Sequence, residues 1–238
     1  MFINNIKHKP DRFGEKHQTE QSRTMINNYS VMQFLNYFLV GIFFIIPISA
    51  CSQAKENKSV NEANKSDDVL IVYLSRTNNT QAVAKMIYEE VGGKVVELEL
   101  KTPYPEDYDA IVSQVDEENE TGYLPPLKTD IKNIQKYDII FIGFPTWDMQ
   151  LPPPMKSFLT KYDLSGKTVI PFNTNAGYGV GSSFNTVKEL CPESTILEGY
   201  STIGGVERDG IYFVMEGEKR KEVKGEVKDW LESLQIMK

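Results

Sequence analysis

The sequence predicts an α/β domain, a doubly wound three-layer sandwich in which helices cover both faces of a five-stranded parallel sheet. After residue 68, short runs rich in β-branched and aromatic residues alternate with segments of helical periodicity. The first, third and fourth runs are almost wholly apolar, which is typical of strands buried on both faces. The most unusual loops follow the ends of these runs, where doubly wound sheets bind ligands.

The alternating segments define five strands and five helices. We place the strands at residues 69–74, 94–100, 137–143, 168–173 and 195–199. The helices follow at residues 81–91, 106–118, 153–162, 183–190 and 218–234. The last helix repeats apolar residues at helical spacing, so we expect Trp230 to lie in the core rather than at a cofactor.

Residues 1–50 differ from the rest of the chain and predict a membrane-targeting leader. Five Lys and Arg residues precede a nearly continuous apolar stretch over residues 34–48, and small residues then lead to Cys51. This order is typical of a bacterial lipoprotein signal, in which Cys51 becomes the lipidated N-terminus. An uncleaved transmembrane helix over residues 31–50 is the alternative. Both interpretations predict a membrane anchor with the domain outside the cytoplasm, on the periplasmic or cell-surface face.

Residues 51–68 are polar and charged, which predicts a disordered tether and leaves residues 69–238 as the folded domain. The leader holds five of the 26 Lys and Arg residues and three of the 33 Asp and Glu residues, so residues 51–238 have a formal charge of −9. An acidic domain repels phosphate backbones, and we therefore expect no nucleic-acid partner. We expect a monomer whose acidic surface docks a redox protein.

The positions of the histidine and cysteine residues limit the chemistry that the domain can perform. Both histidines, His8 and His17, lie in the leader, so the domain lacks the histidine for Ser-His or Cys-His catalysis and for a histidine-based metal site. We predict no metal and no catalytic residue. Cys191 shares a helical face with apolar neighbours, which favours a buried, inert thiol over a redox centre.

The loop after the first strand resembles a phosphate cradle. It reads Ser75, Arg76, Thr77, Asn78, Asn79 and Thr80, between the first strand and the first helix. Backbone N–H groups in the first turn of a helix have no partner within the helix and attract an anion. The hydroxyl and amide side chains can add donors. Ordinary helix capping by the same residue types is the alternative interpretation.

Two further loops are predicted at the same edge of the sheet. The loop after the third strand holds Trp147 between prolines, which suits a wall for a planar ring. The loop after the fourth strand combines glycines, amides and Tyr178. A phosphate cradle between an aromatic wall and a polar wall fits a mononucleotide with a large flat ring, and FMN has that shape.

With these three loops, residues 69–204 resemble flavodoxin, in which a Ser/Thr-rich loop holds the FMN phosphate and two later loops enclose the ring. The resemblance implies the strand order 2-1-3-4-5. It implies that the first loop binds phosphate, with Arg76 and Asn78 acting mainly through their backbone. It also implies that the flavin ring lies among residues from the other two loops, which are Pro145, Thr146, Trp147, Asn173, Thr174, Asn175, Gly177, Tyr178 and Gly179.

Three features depart from the flavodoxin pattern. Asn78 stands where the family usually has glycine, and we expect it to take the left-handed conformation that asparagine tolerates. Asp148 follows Trp147 where many flavodoxins have glycine, and a carboxylate there opposes reduction of a nearby ring. Residues 207–216 do not fit the five-strand scheme and form either an extra edge strand or a loop near the flavin.

These observations leave three functions open. The first is a single-domain FMN protein that carries electrons between redox partners outside the cytoplasm. The second is an FMN-dependent reductase or dehydrogenase that acts on a quinone or another small molecule, which needs no second domain. The third is a flavin-free domain that binds another phosphate ligand, and it would fit if Trp147 packs against Tyr178.

Overall fold

The computed structural model describes residues 67–236. The predicted leader, Cys51 and all but the last two residues of the tether lie outside the described residues. Within residues 67–236, none of the helices combines the length and the apolar character needed to cross a membrane.

The described residues form a single parallel sheet with helices between its strands. The strands are β1 (Val69–Tyr73), β2 (Lys94–Glu97), β3 (Ile139–Pro145), β4 (Thr168–Asn175), β5 (Thr195–Ile196) and β6 (Tyr200–Ile203). The helices are α1 (Asn79–Val91), α2 (Tyr108–Thr121), α3 (Pro153–Lys161), α4 (Ser183–Leu190) and α5 (Gly217–Ser233). The strand order β2-β1-β3-β4-β5, with every pair parallel, confirms the predicted fold class and topology.

The fifth strand is broken, contrary to the prediction of one continuous strand over residues 195–199. β5 pairs with the start of β4, and β6 pairs with its end. Pro171 of β4 lies opposite the break and has no N–H to donate to a neighbouring strand. At Gly199 a Cβ atom would lie 2.9 Å from the Pro171 carbonyl oxygen, so the chain passes this point too closely for a side chain.

The other elements match their predictions, with shifted ends. β2 stops at Glu97 instead of residue 100, while β3 and β4 each extend two residues further, to residues 145 and 175. α2 begins after Asp107, whose Oδ1 accepts a hydrogen bond from the Ala110 N–H at 2.9 Å. An aspartate in this position stabilises the start of a helix, which explains the later beginning.

The core has two parts because alternate residues of each strand point to opposite faces of the sheet. On one face, Leu70 and Val72 of β1 pack with residues of α3 and α4. On the other, Ile71 packs with residues of α1 and α5, including Trp230. The Trp230 side chain is 9% exposed and its Nε1 donates to the Glu198 carbonyl oxygen at 3.0 Å, so the prediction of a core residue is confirmed.

Candidate functional site

A crevice of about 370 Å³ opens outside the carboxyl ends of β1, β3 and β4. This volume lies at the lower end of the range of about 300–1,000 Å³ that small-molecule sites occupy. The crevice receives residues from all three predicted loops, from α2 and from the segment after β6. Its lining comprises Arg76, Thr77, Asn79, Thr80, Tyr108, Ile111, Val112, Val115, Asp116, Pro145, Thr146, Trp147, Asp148, Thr174, Asn175, Ala176, Gly204, Gly205 and Glu207.

The start of α1 has the backbone conformation of an anion cradle. Asn78 has a φ of 64°, which confirms the predicted left-handed conformation. Its side chain does not cap α1, and the first turn carries no acidic residue. The hydroxyls of Thr80 and Thr174 lie 2.8 Å apart and join the cradle to the end of β4. The helix end therefore presents its positive pole to the crevice.

The Asn79 and Arg76 side chains of this loop are held by protein partners outside the cradle. The Asn79 Nδ2 donates to Thr77 Oγ1 at 2.8 Å and to the Tyr212 carbonyl oxygen at 2.6 Å. Both of its N–H bonds are thus used, so the prediction that the Asn79 side chain offers donors to a phosphate does not hold. The Arg76 guanidinium forms an ion pair with Glu207 at 2.6 Å, and a phosphate contact through the Arg76 backbone stays a prediction.

Trp147 forms one wall of the crevice and is held by a tight turn. Its ring meets Tyr104 edge to face, with the ring centroids 5.4 Å apart. Asp148 and Met149 follow with φ of 47° and 53°, and the Gln150 N–H donates to the Trp147 carbonyl oxygen at 2.9 Å. Two positive φ angles in succession are typical of a type I′ turn, which usually requires asparagine and glycine.

The loop after β4 divides into residues that line the crevice and residues that shape it. Asn173 is fully buried and donates to the Phe144 carbonyl oxygen and to Thr146 Oγ1, both at 3.0 Å. Asn175 Oδ1 accepts from the N–H groups of Gly177 and Gly179 at 2.8 and 3.1 Å. The predicted site residues outside the lining are Ser75, Asn78, Asn173, Gly177, Tyr178 and Gly179.

Residues 207–216 form a loop beside the crevice and not an extra edge strand, which was the other predicted alternative. The segment begins with a 3-10 turn over Glu207–Asp209 and has one isolated bridge between Val206 and Ile211. Gly204, Gly205 and Glu207 line the crevice. Sequence reasoning did not assign these three residues to the site.

A sequence profile of the flavodoxin family matches residues 68–216, which include β1 to β6 and all of these loops. The chain belongs to the flavodoxin family. Flavodoxin from Synechocystis sp. is 24% identical to it over 138 residues, which are 56% of this chain and 67% of that protein.

Solved structures agree with the flavodoxin fold. A candidate flavoprotein of Bacteroides eggerthii is 26% identical, with a TM-score of 0.57 over 70% of this chain and 96% of that one. One of Bacteroides uniformis is 26% identical, with a TM-score of 0.56 over 68% and 97%. A flavoprotein of Lactobacillus acidophilus, solved in complex with FMN, is 20% identical, with a TM-score of 0.52 over 57% and 93%. At that identity the last of these supports the fold alone.

In this flavodoxin-family chain, α2 supplies a wall that sequence reasoning missed. Ile111 and Val115 are buried, and together with the half-exposed Val112 and Tyr108 they line the crevice. The sequence predicts this helix at residues 106–118 but does not assign it to the site. The available signal was its short apolar stripe, since residues at positions i, i+3, i+4 and i+7 share one side of a helix.

A hydrogen-bonded network holds the turn after Trp147. Lys156 Nζ donates to Asn119 Oδ1 at 2.9 Å and to Gln150 Oε1 at 3.4 Å. Asn119 and Gln150 in turn donate to Asp148 Oδ2 at 3.3 and 2.9 Å. Burial lowers the pKa of Lys156, and the charge of Asp148 opposes that change. A cation thus offsets the carboxylate that stands beside the crevice wall.

Proposed function

We propose that this protein binds FMN in the crevice and carries electrons between redox partners. The observation that supports the proposal most is the combination, in one crevice, of a helix N-terminus, threonine hydroxyls and an aromatic wall. These groups suit the two ends of a flavin mononucleotide, which are an anionic phosphate and a flat apolar ring. Membership of the flavodoxin family supports the same cofactor.

The described residues fit that group chemically. We assign to the phosphate the backbone of residues 75–80, the hydroxyl of Thr77 and one hydroxyl of the Thr80–Thr174 pair, since the other donates within the pair. We assign Trp147 and the apolar side of α2 to the ring. FMN supplies the redox chemistry when bound, and the protein supplies binding, orientation and electrostatics.

An absorption and fluorescence titration with FMN tests the proposal. The full chain in detergent should quench FMN fluorescence and retain the flavin bands on a gel-filtration column. Trp147→Ala should weaken binding by about tenfold or more, because stacking on an aromatic side chain contributes about 1–3 kcal/mol. Tyr123→Ala is the matched control, since Tyr123 is 52% exposed and lies outside the lining. A chain that ignores FMN would refute the proposal.

We propose a carrier rather than an enzyme because the crevice offers few groups for proton transfer. The ionisable side chains that line it are Arg76, Tyr108, Asp116, Asp148 and Glu207, and Arg76 and Glu207 neutralise each other. The acidic balance of residues 51–238 suits a partner with a basic docking surface. Stopped-flow mixing of the reduced protein with a redox protein should then show salt-dependent exchange. Steady consumption of NAD(P)H with a quinone would indicate the reductase instead.

We propose that the protein works at a membrane, outside the cytoplasm, through lipid on Cys51. The residues from Cys51 to Asp67 could span at most about 55 Å, at about 3.5 Å per residue. Cys51→Ser should release the protein from the membrane fraction, and mass spectrometry of the wild type should find a lipidated Cys51 at the N-terminus. Retention of an uncleaved leader in the membrane would favour the transmembrane alternative.

A further inference from the structure

Three contacts attach the segment at residues 205–214 to the loop that forms the cradle. Arg76 Nε meets Glu207 Oε1 at 2.6 Å. Asn79 Nδ2 donates to the Tyr212 carbonyl oxygen at 2.6 Å, and Asn79 Oδ1 accepts from the Val214 N–H at 3.1 Å. We call residues 205–214 the covering loop. The residues that hold it belong to the same six-residue run whose backbone forms the cradle.

The Arg76 guanidinium also reaches a third segment of chain. Its Nη1 donates to the Pro105 carbonyl oxygen at 2.8 Å, and its Nη2 donates to the Glu106 carbonyl oxygen at 2.5 Å. One side chain thus joins the cradle, the residues before α2 and the covering loop. The planar, always charged guanidinium suits such a junction, whereas lysine would offer a single point charge.

The covering loop folds closely on itself at this junction. A Cβ atom at Gly205 would lie 2.1 Å from the Tyr212 carbonyl oxygen and 2.3 Å from that of Ile211. The side chains of Ile211, Tyr212 and Phe213 are 49%, 57% and 41% exposed, so they bury only part of their apolar surface. Polar contacts to Arg76 and Asn79 therefore supplement the packing of Val214 against the core in holding the loop.

The ion pair between Arg76 and Glu207 also changes the net charge at the crevice. Its two side chains are only 20% and 18% exposed, and Glu207 lines the crevice in which we place an anionic phosphate. An unpaired carboxylate in that position would repel the phosphate. The ion pair with Arg76 offsets this repulsion.

We propose that Arg76, Asn79 and Glu207 are positioning residues that hold the covering loop against the cradle, and that Arg76 neutralises Glu207 so that the crevice accepts an anion. The neutralising role rests on the proposed binding of FMN, whereas the positioning of the loop can be measured in the protein without FMN. It gives the covering loop, most of which falls within the residues 207–216 that the five-strand scheme does not explain, a role in assembling the site.

Hydrogen exchange of the full chain in detergent, without FMN, tests the positioning. Arg76→Gln should speed exchange of the Val214 N–H by about tenfold or more, because the contacts through which Arg76 restrains the loop are lost while Asn79 Oδ1, the acceptor of that N–H, is kept. The Leu98 N–H, which donates to Tyr73 within the sheet, should keep its protection and so show that the fold is intact. Lys128→Gln, which breaks the exposed pair with Glu99, is the charge-matched control. Unchanged exchange at Val214 in Arg76→Gln would overturn the inference.

FMN titration tests whether Arg76 neutralises Glu207. Arg76→Gln should weaken FMN binding by about tenfold or more, equivalent to about 1.4 kcal/mol. Glu207→Gln should cost less, because the amide oxygen still accepts from Arg76. The double variant should recover part of the loss of Arg76→Gln, since no unpaired carboxylate remains. A double variant that binds no better than Arg76→Gln alone would overturn the neutralising role. Wild-type protein that ignores FMN would refute the proposed function, while the exchange result would stand by itself.

Discussion

Replacing Gly143 by alanine should destabilise the sheet beneath the crevice. Gly143 lies in β3 beside Phe172 of β4, and an added Cβ would lie 2.1, 2.3 and 2.7 Å from three carbon atoms of that ring. Ordinary contact begins at 3.4 Å, so the fully buried ring would have to move by about 1.3 Å. Overpacking of this kind costs about 1–3 kcal/mol, and the rigid strand favours the upper end of that range.

Urea unfolding of the chain without its leader measures this cost. With a dependence of about 2 kcal/mol per M, a loss of about 3 kcal/mol lowers the midpoint by about 1.5 M. Gly225→Ala is the matched control, because a Cβ there meets no atom within 4 Å and alanine is favoured in the middle of α5 by about 0.5–1 kcal/mol. The midpoint should therefore move in opposite directions in the two variants. A Gly143→Ala protein as stable as the wild type would refute the argument from close packing.

Three other changes test separate features. Burial and the bond to Glu226 raise the pKa of Tyr200. The stabilisation that protonated Tyr200 provides is complete below pH 10 and is lost as the pH rises above 10, by about 1.4 kcal/mol at pH 11. Tyr200→Phe cannot ionise at this position, so between pH 9 and 11 it should lose less stability in urea unfolding than the wild type does. Burial raises the pKa of Cys191 to about 11. The rate at which iodoacetamide labels Cys191, followed by mass spectrometry, should therefore rise about tenfold per pH unit from pH 8 to 10, because the thiolate is the reacting form. Rapid labelling at pH 7 would contradict this. Met149→Gly should raise the free energy of unfolding by about 0.5–1 kcal/mol, because it relieves a left-handed conformation, whereas Met149→Ala should not.

Much of the fold was predictable because its signals are local. Apolar runs gave β1, β3 and β4, and helical periodicity placed α4 at residues 183–190. The left-handed Asn78 was predictable as well, since a residue in the usual place of glycine must adopt the same backbone conformation. The three loops lie at one edge of the sheet because the strands are parallel and their carboxyl ends share that edge.

The rest depends on contacts between distant parts of the chain. Asn79 and Tyr212 are 133 residues apart, and no local pattern indicates that the side chain of one holds the backbone of the other. The break in the fifth strand depends on Pro171 in a neighbouring strand. The role of α2 depends on where its few apolar residues dock, which is decided by tertiary packing and not by the composition of the helix.

The broken fifth strand also bears on how copies of this protein behave beside one another. An exposed sheet edge is a template for pairing with another chain, and short edge strands are one protection against it. Here the edge offers an incoming strand only two consecutive residues in β5 and four in β6, and the carbonyl oxygen of Glu198 between them is already bonded to Trp230. A short, interrupted edge of this kind leaves little backbone for a second copy to pair with, so we expect it to limit association of the domain through its sheet.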